Sequence, residues 1–211
     1  MIPVNAVISP SQSVTFFDTQ FQKQVAAGDY ALNPFEKASL PFLRGRVLDY
    51  GCGLGNLSIE AARRGLEVVA VDASVTAIAR IRQVAVAEHL KIDAACTDIG
   101  DYLIPGKFDT IVAIGLLMFF RREQALELLS RIQEHVADGG TAIVNVLIEG
   151  TTFMGMFEPG NYCLFGKDEL RDRFRGWNTL FHVHDSFDAP GGTKKEFATI
   201  VARKIMSDPT G

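Results

Sequence analysis

Asp49 stands two positions ahead of three glycines at alternate places, Gly51, Gly53 and Gly55, and Asp72 closes the next apolar run, Glu67 to Asp72. Glycines without Cβ atoms let backbone approach a ligand closely. A helix starting straight after them adds unpaired N–H groups and a positive dipole end. Such a turn suits several cofactors, so spacing and charge must separate them. The dinucleotide fingerprint is G-x-G-x-x-G, whereas the spacing here is G-x-G-x-G. No Gly-Lys-Ser/Thr follows, which excludes a P-loop. A carboxylate is repelled by a diphosphate and attracted by a cation. S-adenosylmethionine carries a sulfonium and an ammonium and no phosphate, so its charge matches a loop flanked by Asp49. Asp72 lies about 20 positions after Gly51, the distance at which an acid accepts hydrogen bonds from ribose hydroxyls. That feature is common to NAD and S-adenosylmethionine sites and indicates a ribose without choosing between them.

Alternating strands and helices are needed to place these residues. The pattern predicts strands over 46–50, 68–72, 93–97, 110–115 and 141–146, with helices over 54–65, 75–89 and 122–136. Asp138-Gly139-Gly140 is expected to stop the third of these helices and turn the chain. An amphipathic helix over 16–27 and a short one over 39–43, interrupted by Pro41, precede them. A short helix over 167–174 and strands over 180–187 and 196–205, joined at Ala189-Pro190-Gly191-Gly192, follow. Strand–helix alternation implies an α/β fold: a parallel sheet with helices on both faces and a ligand crevice at the carboxyl ends of the strands.

The segment VLDYGCGLGN resembles motif I of class I S-adenosylmethionine-dependent methyltransferases, and VVAVDAS resembles their acidic second motif. Thr97-Asp98-Ile99 is similar to the segment in which an acid meets the adenine amino group and the next residue packs on the ring. Phe108 to Gly115 is similar to the fourth strand, whose end lines the methyl-transfer site. The resemblance spans about residues 45–150. It implies a doubly wound, Rossmann-like, mostly parallel seven-stranded sheet with an antiparallel strand contributed by the C-terminal hairpin. It also implies cofactor contacts at Asp49, Gly51, Cys52, Gly53, Asn56, Asp72, Ala73, Asp98, Ile99, Ile114, Gly115 and Leu116. S-adenosylmethionine is the implied cofactor and S-adenosylhomocysteine the product.

Segments outside the core are more specific. Met118-Phe119, Leu164-Phe165-Gly166-Lys167-Asp168-Glu169-Leu170, Gly176-Trp177 and Phe197-Ala198-Thr199 resemble the tellurite-resistance methyltransferase family. That family places a Tyr-x-Leu segment ahead of motif I; here it is Tyr30-Ala31-Leu32, and the resemblance implies that Tyr30 covers the cofactor. The implied organisation is a helical N-terminal segment, 1–44, over the cofactor, a methyltransferase domain, 45–206, and a disordered tail, 207–211. The family's His-Arg pair is missing from the hairpin, and Glu196 stands where the family has an Arg before Phe-Ala-Thr. No catalytic residue is carried over to those positions. The Asn/Asp-Pro-Pro-aromatic tetrad of nucleic-acid amino-methyltransferases is absent after the fourth strand.

The resulting expectation is methyl transfer to a small molecule, a chalcogen oxyanion or a thiol among the acceptors. A soft nucleophile needs no strong base; a hydroxyl or amine acceptor does, and His182, His184 and Tyr30 are the candidates. Leu116 to Phe120 reads equally as a water-excluding wall or as core. Arg121 and Arg122 read as a hold on an anionic acceptor or as a solvated helix start. Two rival functions stand beside this one. A non-catalytic cofactor-binding module is motivated by the missing hairpin residues, and an NAD(P)-dependent oxidoreductase by the shared ribose acid.

Composition narrows the partners. The 211 residues are 47% hydrophobic and 22% charged, as in an ordinary globular domain, and the net charge of −4 argues against a general nucleic-acid groove. No apolar run reaches the roughly 18 residues of a membrane span. The first ten residues lack the charged leader and long apolar core of a signal peptide. Cys52, Cys96 and Cys163 are far apart and form no C-x-x-C, so neither a metal site nor disulfides are expected. The chain therefore reads as cytoplasmic, with monomer and homodimer both open.

Overall fold

The computed structural model describes residues 12–206. The expectations of no leader at the start and of a disordered tail over 207–211 lie outside the described residues. The helices are α1 (Gln12–Ala27), α2 (Pro34–Ser39), α3 (Asn56–Arg63), α4 (Val75–Ala87), α5 (Arg122–His135) and α6 (Glu169–Arg173). The strands are β1 (Arg46–Tyr50), β2 (Glu67–Asp72), β3 (Ile92–Cys96), β4 (Phe108–Ile114), β5 (Val136–Leu147), β6 (Asn178–Ala189) and β7 (Thr193–Arg203). They form one seven-stranded sheet in the order β3-β2-β1-β4-β5-β7-β6. The first five strands are parallel, and β7 runs antiparallel between β5 and β6. The strand order reverses between β1 and β4, which opens a crevice at their carboxyl ends.

Parallel strands covered on both faces must be apolar almost throughout. Val47, Leu48, Asp49 and Tyr50 are all buried in β1, and Val68, Val69, Ala70 and Val71 in β2. Alternation then divides each strand between two layers. Leu48, Ile111 and Val144 pack with Ala125, Leu128, Leu129 and Ile132 of α5. Val47, Ala70 and Val112 pack on the other face with Leu57 of α3 and Ile78 and Ile81 of α4.

Element ends fall within about three residues of the sequence expectation except at three places. The second helix starts at Pro34 and ends at Ser39, before a single 3-10 turn over Leu40–Phe42. Its start is fixed by Asn33, whose Oδ1 accepts from Glu36 N (2.9 Å) while Glu36 Oε2 accepts from Asn33 N (2.7 Å), a reciprocal capping box. Asp138-Gly139-Gly140 does not form a separate turn. β5 begins at Val136 and absorbs the three residues as a bulge, with Gly139 at φ 69° and the register slipping between Phe108 and Thr110. α1 is already helical at Gln12, the first described residue, a turn before the start that the apolar periodicity suggests.

Gly55 sets the approach of α3 to α4. It has φ 70°, and an added Cβ would lie 2.4 Å from Ile81 Cγ1. Gly55→Ala is expected to lower unfolding stability by about 1–3 kcal/mol through backbone strain and overpacking, read from the urea midpoint.

Candidate functional site

A cavity of about 870 Å³ opens over the carboxyl ends of β1, β2, β4 and β5, with residues of α1, α2 and β7 completing its wall. β1 enters the glycine turn through backbone bonds to its neighbour: Gly51 N and Cys52 N both donate to Val71 O, at 2.8 and 3.0 Å. Gly51 and Gly53 take φ 76° and 52°. A Cβ on Gly51 would meet Leu116 Cδ1 at 2.8 Å, and one on Gly53 would meet Phe21 at 3.2 Å. Leu116 and Phe21 thus stand so close to the turn that neither position has room for a side chain.

Two acids frame the turn. Asp72 Oδ2 accepts from Gly53 N and Oδ1 from Ser74 N, each at 2.9 Å. Burial raises its pKa against those backbone hydrogen bonds. Asp49 is buried at the carboxyl side of β1 and accepts from Ser58 Oγ at 2.6 Å. Burial, opposed by the Ser58 bond and reinforced by Glu36 and Asp72, pushes it up to about 7. Glu36 and Asp98 also line the cavity. Asn56 lines it too and keeps a buried Oδ1 with no hydrogen-bond partner. An acid-rich wall with an unsatisfied amide oxygen and a glycine cradle fits a nucleoside bearing positive charge.

Residues 35–190 match the family model described as "Tellurite resistance protein TehB". The chain belongs to the TehB family. A probable S-adenosyl-L-methionine-dependent methyltransferase TehB of Haemophilus influenzae (strain 10810) is 29% identical over 165 residues, covering 75% of this chain and 57% of that protein. The crystal structure of TehB from Haemophilus influenzae superposes with a TM-score of 0.71 at 25% identity, over 89% of this chain and 67% of that one. The N-methyltransferase NodS from Bradyrhizobium japonicum WM9, solved with S-adenosylhomocysteine, shares the fold. Its TM-score is 0.65 at 17% identity, over 89% of this chain and 98% of that one. The chain spans 57% of the length of the first curated TehB relatives. The cofactor of this family is S-adenosylmethionine, and the Rossmann-like sheet with its antiparallel C-terminal hairpin is that of its methyltransferases.

Within this TehB-family fold, Asp49, Gly51, Cys52, Gly53, Asn56, Asp72, Ala73, Asp98, Ile99, Ile114, Gly115 and Leu116 all line the one cavity. Tyr30 stands apart. It is not on the wall; its ring lies 3.8 Å beneath the Arg80 guanidinium and its hydroxyl donates to Val25 O at 3.3 Å. Cys52 reaches the wall, but burial raises its thiol well above the ordinary value, so it is no nucleophile. The Leu116 to Phe120 segment divides. Leu116, Met118, Phe119 and Phe120 face the cavity, and Leu117 turns into the core.

The candidate bases are elsewhere. His182 and His184 sit on β6 off the cavity wall, their rings 4.9 Å apart, with His184 Nε2 2.8 Å from Lys167 O. Arg122 is taken up by Glu169 at 2.8 Å, and neither it nor Arg121 lines the cavity. Among the described residues no group of three His, Cys, Asp or Glu side chains could hold a metal. No helix of the described residues is long and apolar enough to cross a membrane.

Sequence reasoning missed the wall supplied from a distance: Phe17 and Phe21 of α1, Glu36 of α2, Asn145 of β5, and Lys195 and Phe197 of β7. One signal was available. Phe16, Phe17 and Phe21 recur on one side of α1, yet that helix has no fully buried residue. Its apolar face is turned to the cavity rather than to packed core. Asp18 anchors it, accepting from Ser74 Oγ at 2.5 Å and Thr76 N at 3.3 Å at the start of α4. Asp18→Ala is expected to free α1 and raise hydrogen exchange over residues 12–27 several-fold, with little change in the sheet.

Proposed function

We propose that this chain is an S-adenosylmethionine-dependent methyltransferase with a small-molecule acceptor. The observation that carries the proposal is the charge of the cradle. Asp49, Asp72, Glu36 and Asp98 line the cavity, and Lys195 of the hairpin is the sole basic residue on the described wall. A dinucleotide would set its diphosphate against these acids with no arginine on the wall to meet it.

When bound, the cofactor supplies a methyl group on a positively charged sulfur. The chain's own residues do the rest. Asp72, with two lone-pair positions spent on Gly53 and Ser74, offers the remainder to ribose hydroxyls. Asp98 and Ile99 serve the adenine, and Asn56 and Asp49 the cationic part. Leu116, Met118 and Phe119 keep water from the reacting atoms. Residues 12–44 act as a cover: α1 and α2 supply Phe17, Phe21 and Glu36 to the wall. The domain 45–206 carries the chemistry, and the setting is cytoplasmic. The candidate bases His182, His184 and Tyr30 all lie off the wall, which favours an acceptor that needs no protein base, such as a thiol or a chalcogen oxyanion.

Calorimetry decides the cofactor. S-adenosylhomocysteine is expected to bind in the micromolar range and NADPH not at all; the reverse order would sink the reading. Transfer of a labelled methyl group to thiols separates an enzyme from a silent binding module.

A further inference from the structure

The wall opposite in character to the acidic cradle is aromatic. Phe35, Phe119, Phe153, Met156 and Phe197 line it together with Lys195. Phe35 and Phe197 lie 4.7 Å apart, and Phe119 packs edge-on against Phe17 at 5.0 Å. Strand alternation in β7 places Lys195 and Phe197 on the cavity side and Glu196 on the other, where its Oε1 accepts from Ser186 Oγ at 2.7 Å.

Lys195 is held there by an aromatic ring. Its Nζ lies 4.6 Å over the ring of Phe153. That ring is fixed by the backbone: Thr152 N and Phe153 N both donate to Lys194 O, at 2.9 and 3.1 Å, and Lys194 N donates to Thr152 Oγ1 at 2.9 Å. Among the described residues no carboxylate lies within ion-pair distance of Lys195. Burial alone lowers its pKa. The charged residues placed beside it are Lys194 and Glu196 on its own strand and Asp188 on β6, which pairs with Lys194; Glu36, Asp49, Asp72 and Asp98 lie elsewhere on the cavity wall. A half-buried ammonium among aromatic rings, on a cavity wall and with no ion-pair contact among the described residues, is an anion site with an apolar surround.

Resting on the methyltransferase reading, we propose that this wall binds the acceptor as an ionised aromatic thiol or phenol, its negative charge held by Lys195 and its ring enclosed by Phe35, Phe119, Phe153 and Phe197. The acceptor's lone pair on sulfur or oxygen forms the new bond to the methyl carbon. The carbon–sulfur bond of the cofactor breaks, and its electron pair stays on the cofactor sulfur, leaving a neutral thioether. Anion and cation disappear together, so no proton moves in the step and no base is required. The proton of the acceptor leaves to solvent beforehand, which Lys195 favours by stabilising the anion. The methylated product is neutral and loses its hold on the ammonium.

The probe is 4-nitrophenol, whose phenolate absorbs in the visible, titrated with the full chain saturated with S-adenosylhomocysteine. Bound to the unmodified protein its pKa is expected to fall by about 1–3 pH units, the effect of one close opposite charge. Lys195→Met should abolish that fall and raise KM for 4-nitrothiophenol methylation at least tenfold. Lys195→Arg should retain most of both. S-adenosylhomocysteine affinity should be unchanged in each variant, which verifies folding of the cofactor half. An unaltered phenol pKa in the unmodified protein, or equal KM in Lys195→Met, overturns the acceptor proposal. So does methylation of selenite with no binding of either aromatic. Failure of the unmodified protein to bind S-adenosylhomocysteine overturns instead the methyltransferase reading beneath it.

Discussion

Asp72→Ala is expected to weaken S-adenosylhomocysteine binding about 10–100-fold, the roughly 1–3 kcal/mol carried by a charged hydrogen bond in a buried setting. The carboxylate has two tasks that the variant removes at once. It holds the glycine turn through Gly53 N and the start of α4 through Ser74 N. It also presents free lone pairs to the cavity. Adenosine, which has the ribose and no charge, separates the tasks from any effect on the cationic end. Its affinity should fall by the same factor as that of S-adenosylhomocysteine. Asp72→Asn retains an acceptor for one backbone donor and should give an intermediate loss. Ser74 caps α4 through its own Oγ, which accepts from Ala77 N at 3.0 Å, so the helix itself survives. Equal adenosine affinity in Asp72→Ala and the unmodified protein, measured by calorimetry, would remove the ribose role.

The parts of this site that were legible in the sequence are contiguous ones. Val47 to Asn56 is strand, turn and helix start in ten residues, and local chemistry fixes it: apolar residues for a strand buried on both faces, glycines for left-handed φ. The same holds for Asp72 at the end of β2 and for Asp98 after β3, because strand ends in a parallel sheet share one rim. What was not legible depends on contacts between distant segments. Lys195 reads in sequence as an ordinary hairpin lysine. Only the pairing of β7 beside β5, and the loop that ties Phe153 beneath it, turn it inward. Tyr30 is the reverse case. Its motif was local and recognisable, but Arg80 of α4 takes up the ring. The bulge over 138–140 was missed for a related reason. Asp-Gly-Gly signals a left-handed residue, and the neighbouring strand decides whether that residue makes a turn or a bulge.

S-adenosylmethionine affinity is expected to rise with pH between about 5.5 and 7.5, approaching tenfold per pH unit at the acid end, and to release a proton on binding. The cause is Asp49. Burial pushes its carboxyl up to about 7, against the bond from Ser58 and with the help of the nearby Glu36 and Asp72. In the free protein at pH 6 it therefore holds a proton, and a cation placed beside it drives that proton off. The ligand-bound form binds fewer protons, so raising the pH favours it. The window stays below about 7.7, where an α-amino group itself begins to lose its charge. The same carboxyl sets the stability of the free protein. Its folded pKa lies above the ordinary value of 3.8. Its contribution is thus complete below that value and is lost as the pH rises through about 7. The gain in Tm given by the cofactor should accordingly be larger at pH 7.5 than at 5.5. Adenosine, without a cation, should bind with the same affinity across the range. Asp49→Asn should flatten the S-adenosylmethionine profile and leave adenosine unaffected. Calorimetry in two buffers of different ionisation enthalpy counts the proton. A count of zero at pH 6, with flat affinity, would show that Asp49 does not face the cationic part of the ligand.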